Sequence, residues 1–154
     1  MRDFGLGERL MSSVIMVGVD GSACSGRAVD YAAVQAKPAG SKVLVTHVIE
    51  WSRFSFSTAE ENAQRHKRRE EEIDRAHKDI VDPVVSQLQE QGIEAEGLVR
   101  HGHVSDTLVS MAKRNQATNI IIGRQGSAGL KSYVFGSVGA RLVQVAECPV
   151  TVVP

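Results

Sequence analysis

Cysteine is scarce in this 154-residue chain: Cys24 and Cys148 are the two it has, far apart in sequence. Neither belongs to a C-x-x-C pair or to a cysteine–histidine ligand spacing. That excludes a zinc-ribbon or disulfide-scaffold domain, and two small reduced thiols are expected. An excess of one charge is missing as well. Lysine plus arginine (18) equals aspartate plus glutamate (18), so no overall field draws the protein to nucleic acid or to an anionic membrane surface. Long apolar runs are absent too. The first, Val14 to Val19, ends at Asp20 and is too short to span a bilayer. Ahead of it, Met1 to Ser13 carries Arg2, Asp3, Glu8 and Arg9 where a secretion signal would have its apolar stretch. Residues 1–13 are therefore expected to be a flexible leader, residues 14–154 a single domain, and the location cytoplasmic.

Familiar catalytic and nucleotide loops are also missing. A Walker A loop needs glycine directly before its lysine, and Gly129-Leu130-Lys131-Ser132 has leucine there. No G-x-G-x-x-G follows the first apolar run. Ser22, Ser25 and Ser137 sit in no G-x-S-x-G elbow and have no assignable base. No catalytic residue is assigned.

What is present is an alternation of strand and helix signals, which implies crossover connections and a mostly parallel sheet. Val14 to Val19 reads as a strand covered on both faces. A helix is expected from Ala28 to Lys37, ending at Pro38 and Gly40, and a second strand over Lys42 to Ile49. A long helix follows from about Ala59 to Gln91, with Ile73, Ala76, Ile80, Val84 and Leu88 at helical spacing. Pro83 should kink or divide it. Ile93 to Arg100 alternates in part, as an edge strand does. Ser105 is expected to cap the next helix, with Val104, Leu108, Met111 and Ala112 on its apolar stripe. Ile120 to Ile122 is a fourth strand, Gly136 to Ala146 a helix, and Pro149 to Val153 a fifth strand. With 42% apolar residues, one domain of this length buries a sufficient core.

The chemistry concentrates after the fourth strand. Gly123-Arg124-Gln125-Gly126 is followed by nine residues and then Gly136-Ser137. Glycines allow the backbone to approach an anion closely, and the exposed N–H groups of a helix start hold negative charge. Glycines of such a loop also serve as turn and C-cap residues, and Ser137 as an N-cap. His101-Gly102-His103 reads as solvent-exposed or locally hydrogen-bonded histidine rather than a metal pair. His47 reads as a satisfied core residue, and Arg65 to Glu72 as a solvated helix face with pairs such as Arg68–Glu72. Trp51, Phe54 and Phe56 either cover a ligand or pack beneath a loop.

The spacing Gly-x2-Gly-x9-Gly-Ser resembles the ATP-binding signature of the universal stress protein family at every defined position. Val17-Gly18-Val19-Asp20-Gly21-Ser22 is similar to that family's first strand and closing aspartate. Thr46-His47-Val48-Ile49 resembles its second strand, and Cys148-Pro149-Val150-Thr151-Val152-Val153 its last. The resemblance implies a single doubly wound, Rossmann-like α/β fold, with a five-stranded parallel sheet of order 3-2-1-4-5 and helices on both faces. In that order the first and fourth strands lie side by side, and their diverging connections open a crevice.

Carried over residue by residue, the site would comprise Val19, Asp20, Val48, Ile122, Gly123, Gln125, Gly126, Gly136, Ser137 and Val138. Gly126 would fold the loop over the nucleotide, Gly123 would let a ribose lie against the backbone, and Gly136 and Ser137 would hold phosphate. Asp20 would take ribose hydroxyls or adenine donors, or a phosphate through Mg²⁺. Val48 would line the adenine pocket. The ligand is expected to be ATP, with ADP or AMP as alternatives. Arg124 faces either phosphate or solvent. Gly139 stands where related nucleotide binders often have a hydroxyl residue, which removes one phosphate contact. The resemblance implies a nucleotide-dependent regulatory homodimer paired through Val150–Val153, with an unidentified protein partner and no membrane insertion. A nucleotide-free dimeric module of the same fold and a slow Mg²⁺-dependent ATPase are the competing readings.

Overall fold

The computed structural model describes residues 13–51, 58–126 and 136–154. The leader up to residue 12, Phe54, Phe56 and the Gly129–Ser132 segment lie outside the described residues. Strands β1 (Val14–Gly18), β2 (Lys42–Glu50), β3 (Ala95–Gly102), β4 (Ala117–Gly123) and β5 (Val150–Val153) form one sheet. Its order is β3-β2-β1-β4-β5, and every neighbouring pair is parallel. The expected topology is therefore the observed one. The central strands read as continuous apolar runs because both their faces are covered: Met16, Val17, Val43, Val45, Ile120 and Ile121 are fully buried. Each large side chain removed from water in this way contributes ~1.5–3 kcal/mol.

The helices divide between the two faces. Helix α1 (Ala23–Ala39) packs on one face with the segment between β2 and β3, around Ala28, Val29, Ala32, Val81 and Leu88. Helices α4 (Val104–Arg114) and α5 (Ser137–Val145) cover the other, around Met16, Leu44, Leu108, Met111 and Leu142. The connection leaving β1 thus runs over one face and the connection leaving β4 over the other. Since β1 and β4 are neighbours, their C-terminal ends flank the point where the winding reverses.

Several helix boundaries differ from the sequence expectation. Helix α1 begins at Ala23 instead of Ala28, because Ser22 caps it by accepting Ser25 N–H at 3.1 Å. It also runs through Pro38, which stands in the last turn, where Gly40 closes the helix in the left-handed conformation at φ 60°. Helix α4 starts at Val104, ahead of the expected Ser105 cap, and His103 holds the cap position without a side-chain bond.

The long helical segment is divided as expected, by a particular device. Helix α2 (Ala59–Ala76) passes into a π-helical turn over His77–Val81 and then into α3 (Asp82–Glu90), with Pro83 at its start. The Asp82 N–H bonds to His77 O, five residues back. A wider turn just ahead of the proline relieves the crowding its ring would cause in a regular helix. Opposite the turn, Gly97 of β3 leaves room: a Cβ there would overlap Val81 Cγ1.

The two sheet edges are unlike. At β3, Glu96 and Arg100 are exposed, and Glu96 pairs with Lys42 of β2. At β5 the four residues are all apolar or threonine and half-buried.

Candidate functional site: the crevice between β1 and β4

Where β1 ends, the chain turns sharply and its polar groups are mutually bonded. Asp20 Oδ1 accepts the Ser22 N–H at 2.9 Å, Ser22 Oγ accepts Ser25 N–H, and Ser25 Oγ donates to Ser22 O at 3.0 Å. The Asp20 N–H points back to Ser25 Oγ at 3.4 Å. This is an Asx-type turn leading into a capped helix. It fixes the Asp20 carboxylate at the rim of the sheet, half-buried.

The glycine loop rises directly opposite. A Cβ on Gly126 would sit 2.9 Å from Asp20 Oδ2, so the loop backbone and the carboxylate are in close approach, which only glycine allows without displacing the acid. A Cβ on Gly123 would lie 2.8 Å from both the carbonyl carbon and oxygen of Cys24 and 2.9 Å from its sulfur. Gly123 therefore packs against the first turn of α1, a structural demand on this glycine that sequence spacing does not reveal. The two ends of the loop meet as well: Arg124 O is 3.5 Å from the position a Cβ on Gly136 would take.

Helix α5 opens at this meeting point. Gly136 occupies its cap position with no side-chain hydrogen bond, and both Gly136 and Ser137 are exposed. The first N–H groups of a helix have no partner within it, and α5 starts where Gly136 stands beside Arg124 at the other end of the loop. Gly139 is buried in the helix, so it presents no side chain to the crevice.

Asp20, Gly123, Gln125, Gly126, Gly136 and Ser137 are thus gathered at one end of the sheet. The apolar candidates divide. Val48 and Val138 pack against the cluster formed by Leu44, Leu108 and the buried Ile122, which is the floor on the α5 side. Val19 belongs to the opposite core with Ala28 and Val29. Its backbone is fully used, with the N–H on Thr46 O at 2.8 Å and the carbonyl accepting His47 Nδ1–H at 2.6 Å. That bond also satisfies His47, as its place in an apolar strand suggests. Sequence reasoning missed Cys24, whose sulfur accepts the Gln125 N–H at 3.4 Å and donates to Val153 O at 3.6 Å. No spacing signal marks contacts so remote in sequence.

The remaining polar features lie elsewhere. His101 Nε2 bonds Glu72 Oε2 at 2.8 Å, so Glu72 is tied across to β3 rather than along its own helix to Arg68. The Arg69 guanidinium stacks over the exposed Trp51 ring, 5.5 Å from its centroid. Among the described residues no group of three or more His, Cys, Asp or Glu is placed to hold a metal ion, and no helix is long and apolar enough to cross a membrane. The shifted titrations also lie away from the crevice. The hydrogen bond that the Lys42 ammonium donates to Glu96 holds it above its usual range, and burial pushes the Cys148 thiol up.

Comparison with known proteins agrees with this architecture. YxiE of Bacillus subtilis, a universal stress protein, is 27% identical over 147 residues, covering 93% of this chain and 99% of its own. The universal stress protein Rv1996 of Mycobacterium tuberculosis is 30% identical over 161 residues, and the chain spans only 47% of its length. Among solved structures, UspA of Lactobacillus plantarum superposes with a TM-score of 0.78 at 19% identity, over 92% of this chain and 97% of that one. A universal stress protein from Archaeoglobus fulgidus in complex with dAMP gives 0.63 at 21% identity, over 95% and 100%. An Arabidopsis thaliana family member with AMP bound gives 0.61 at 22%, over 92% and 90%. The model of the universal stress protein family matches residues 11–154, nearly the whole sequence, and the chain belongs to that family.

Proposed function

We propose that the protein binds an adenine nucleotide, ATP foremost, in the crevice between β1 and β4, and acts as a regulatory binder rather than as a catalyst. The observation that carries this reading is the close approach of Gly126 to Asp20, on a loop whose other end meets Arg124 at the start of α5, where no side chain caps the helix. A carboxylate that can accept ribose hydroxyls stands at one end, and N–H groups of a helix start, which have no partner within the helix, stand at the other end of the loop. The bound dAMP and AMP of the two structural relatives support the same ligand class.

In this reading Gly136, Ser137 and Val138 present their N–H groups to phosphate, and the Ser137 hydroxyl adds a donor. Gln125 and Gly126 lie over the sugar, and Val48 supplies apolar contact for the base. Any Mg²⁺ would arrive on the nucleotide phosphates, while Asp20 takes the ribose hydroxyls. The β5 edge pairs with a second copy, burying the apolar strand that the monomer leaves at the end of its sheet.

Calorimetric titration of nucleotide-stripped protein with ATP and Mg²⁺ tests the reading. Saturation near one ATP per chain is the expected result. A folded protein that shows no heat of binding across cellular ATP concentrations would sink it and favour the nucleotide-free dimeric module.

A further inference from the structure

Three consecutive residues of the glycine loop engage the same small region of the molecule. Gly123 lies against the Cys24 backbone, with no room for a Cβ between them. The Arg124 N–H donates to Val153 O at 2.7 Å. The Gln125 N–H donates to Cys24 Sγ at 3.4 Å, and the same sulfur donates its proton to Val153 O at 3.6 Å. Val153 is the last residue of β5, and the next carbonyl, that of Pro154, accepts Arg27 Nε–H at 2.8 Å. The first turn of α1, the nucleotide loop and the end of the edge strand therefore meet at one buried thiol.

We propose that Cys24 is a positioning residue that couples the glycine loop to strand β5, so that a ligand on the loop alters the strand's C-terminal end. The ligand part of this coupling rests on the reading of the loop as a nucleotide site. The chemistry of the joint favours such a role. A thiol is a weak donor and a weak acceptor, so the Gln125 N–H is held by an acceptor that an oxygen of a bound nucleotide outcompetes. When that N–H turns to the ligand, the sulfur loses one of its two partners. Its remaining bond and its contact with Gly123 then readjust against Val153. Hydrogen bonds in series polarise one another, so a change at one end is felt at the other. The ligand has a different interaction with the two arrangements, as any shift of population requires. Arg124 adds a second, purely backbone link to the same carbonyl, which keeps the loop and the strand in register while the thiol bond changes.

The test is amide hydrogen exchange, with and without Mg²⁺-ATP, on the wild type, Cys24→Ser and Cys24→Ala. In ligand-free protein, Cys24→Ala is expected to speed exchange at Gln125 about fivefold, the loss of one modest hydrogen bond. It should also speed exchange at Val152 and Val153, and Cys24→Ser, which keeps a donor and an acceptor, should restore most of the protection. In the wild type, ATP should change exchange at Val152 and Val153, and in Cys24→Ala that response should fall by about half or more. Unchanged exchange at both Gln125 and β5 in ligand-free Cys24→Ala overturns the joint. An ATP response at β5 that is equal in Cys24→Ala and wild type overturns the coupling. If ATP fails to bind the wild type while Gln125 and β5 both respond to Cys24→Ala, the nucleotide reading falls and the mechanical joint stands.

Discussion

Two helices begin at the same crevice, and they begin in opposite ways. The start of α1 is closed on itself: Asp20 Oδ1 takes the Ser22 N–H, Ser22 Oγ takes that of Ser25, and Ser25 is buried. The start of α5 has glycine at its cap, no side-chain acceptor, and two exposed residues, Gly136 and Ser137. Both helices carry the same backbone dipole. The difference teaches that anion-binding capacity depends on what the first turn leaves open, and of the two only α5 has no side-chain acceptor at its cap among the described residues. The first helix stabilises the fold and aims a carboxylate, while in the proposed reading the second presents donors.

The largest effect that would break this division is expected from Gly126→Val. The added side chain meets Asp20 Oδ2, a side-chain atom rather than backbone, so the carboxylate yields, at most at the expense of its bond to Ser22 N–H, and the fold should survive while the crevice closes. ATP affinity should fall more than tenfold, which is over ~1.4 kcal/mol, with little change in thermal midpoint. Retained affinity in calorimetry would place the site elsewhere. Gly123→Ala acts on the fold instead. Its Cβ would press on the Cys24 backbone, which cannot swing away, and should cost ~1–3 kcal/mol in denaturant unfolding.

A matched pair of serines sharpens the comparison. Ser22→Ala removes the α1 cap and should lose ~1 kcal/mol of stability, with ATP affinity within about twofold of wild type after correction for the folded fraction. Ser137→Ala should do the reverse, leaving stability within ~0.5 kcal/mol and weakening ATP binding about fivefold, the loss of one hydrogen bond. If the two substitutions had the same profile, the distinction between the helix starts would be void. The smallest effect is expected from Glu72→Gln, which weakens the bond to His101 on the edge strand β3. It should shift stability by less than ~1 kcal/mol and leave ATP titration unchanged.

Much of this architecture was legible in the sequence for identifiable reasons. Doubly covered strands write themselves as unbroken runs such as Ile120-Ile121-Ile122, and the partial alternation around Glu94, Glu96 and Arg100 marked β3 as an edge. The dividing effect of Pro83 was visible too. The means, a π-helical turn with Gly97 across from it, was not, because it depends on a contact between distant segments. The start of α1 was misplaced where local hydrogen bonding overrode apolar periodicity: the Ser22 cap begins the helix at Ala23, ahead of the expected Ala28. In the candidate site, the glycine loop stood out by residue type and order, and Asp20 by the resemblance to the family's first strand. Cys24 was not, since its sulfur joins residues more than a hundred positions away, and no local pattern encodes such a meeting. Gly123 was readable as a glycine that matters, but only the fold shows that its missing side chain makes room for α1.

The unequal sheet edges carry a consequence for how copies of the molecule can add up. A sheet with two welcoming edges can lengthen without limit, each new chain offering a fresh end to the next. Here the β3 margin carries Glu96 and Arg100 outward, and only the β5 margin is plain. Pairing by β5 with a copy related by a two-fold axis would consume the plain margin of both partners and leave charged margins at both outer ends. Growth would stop at two by construction.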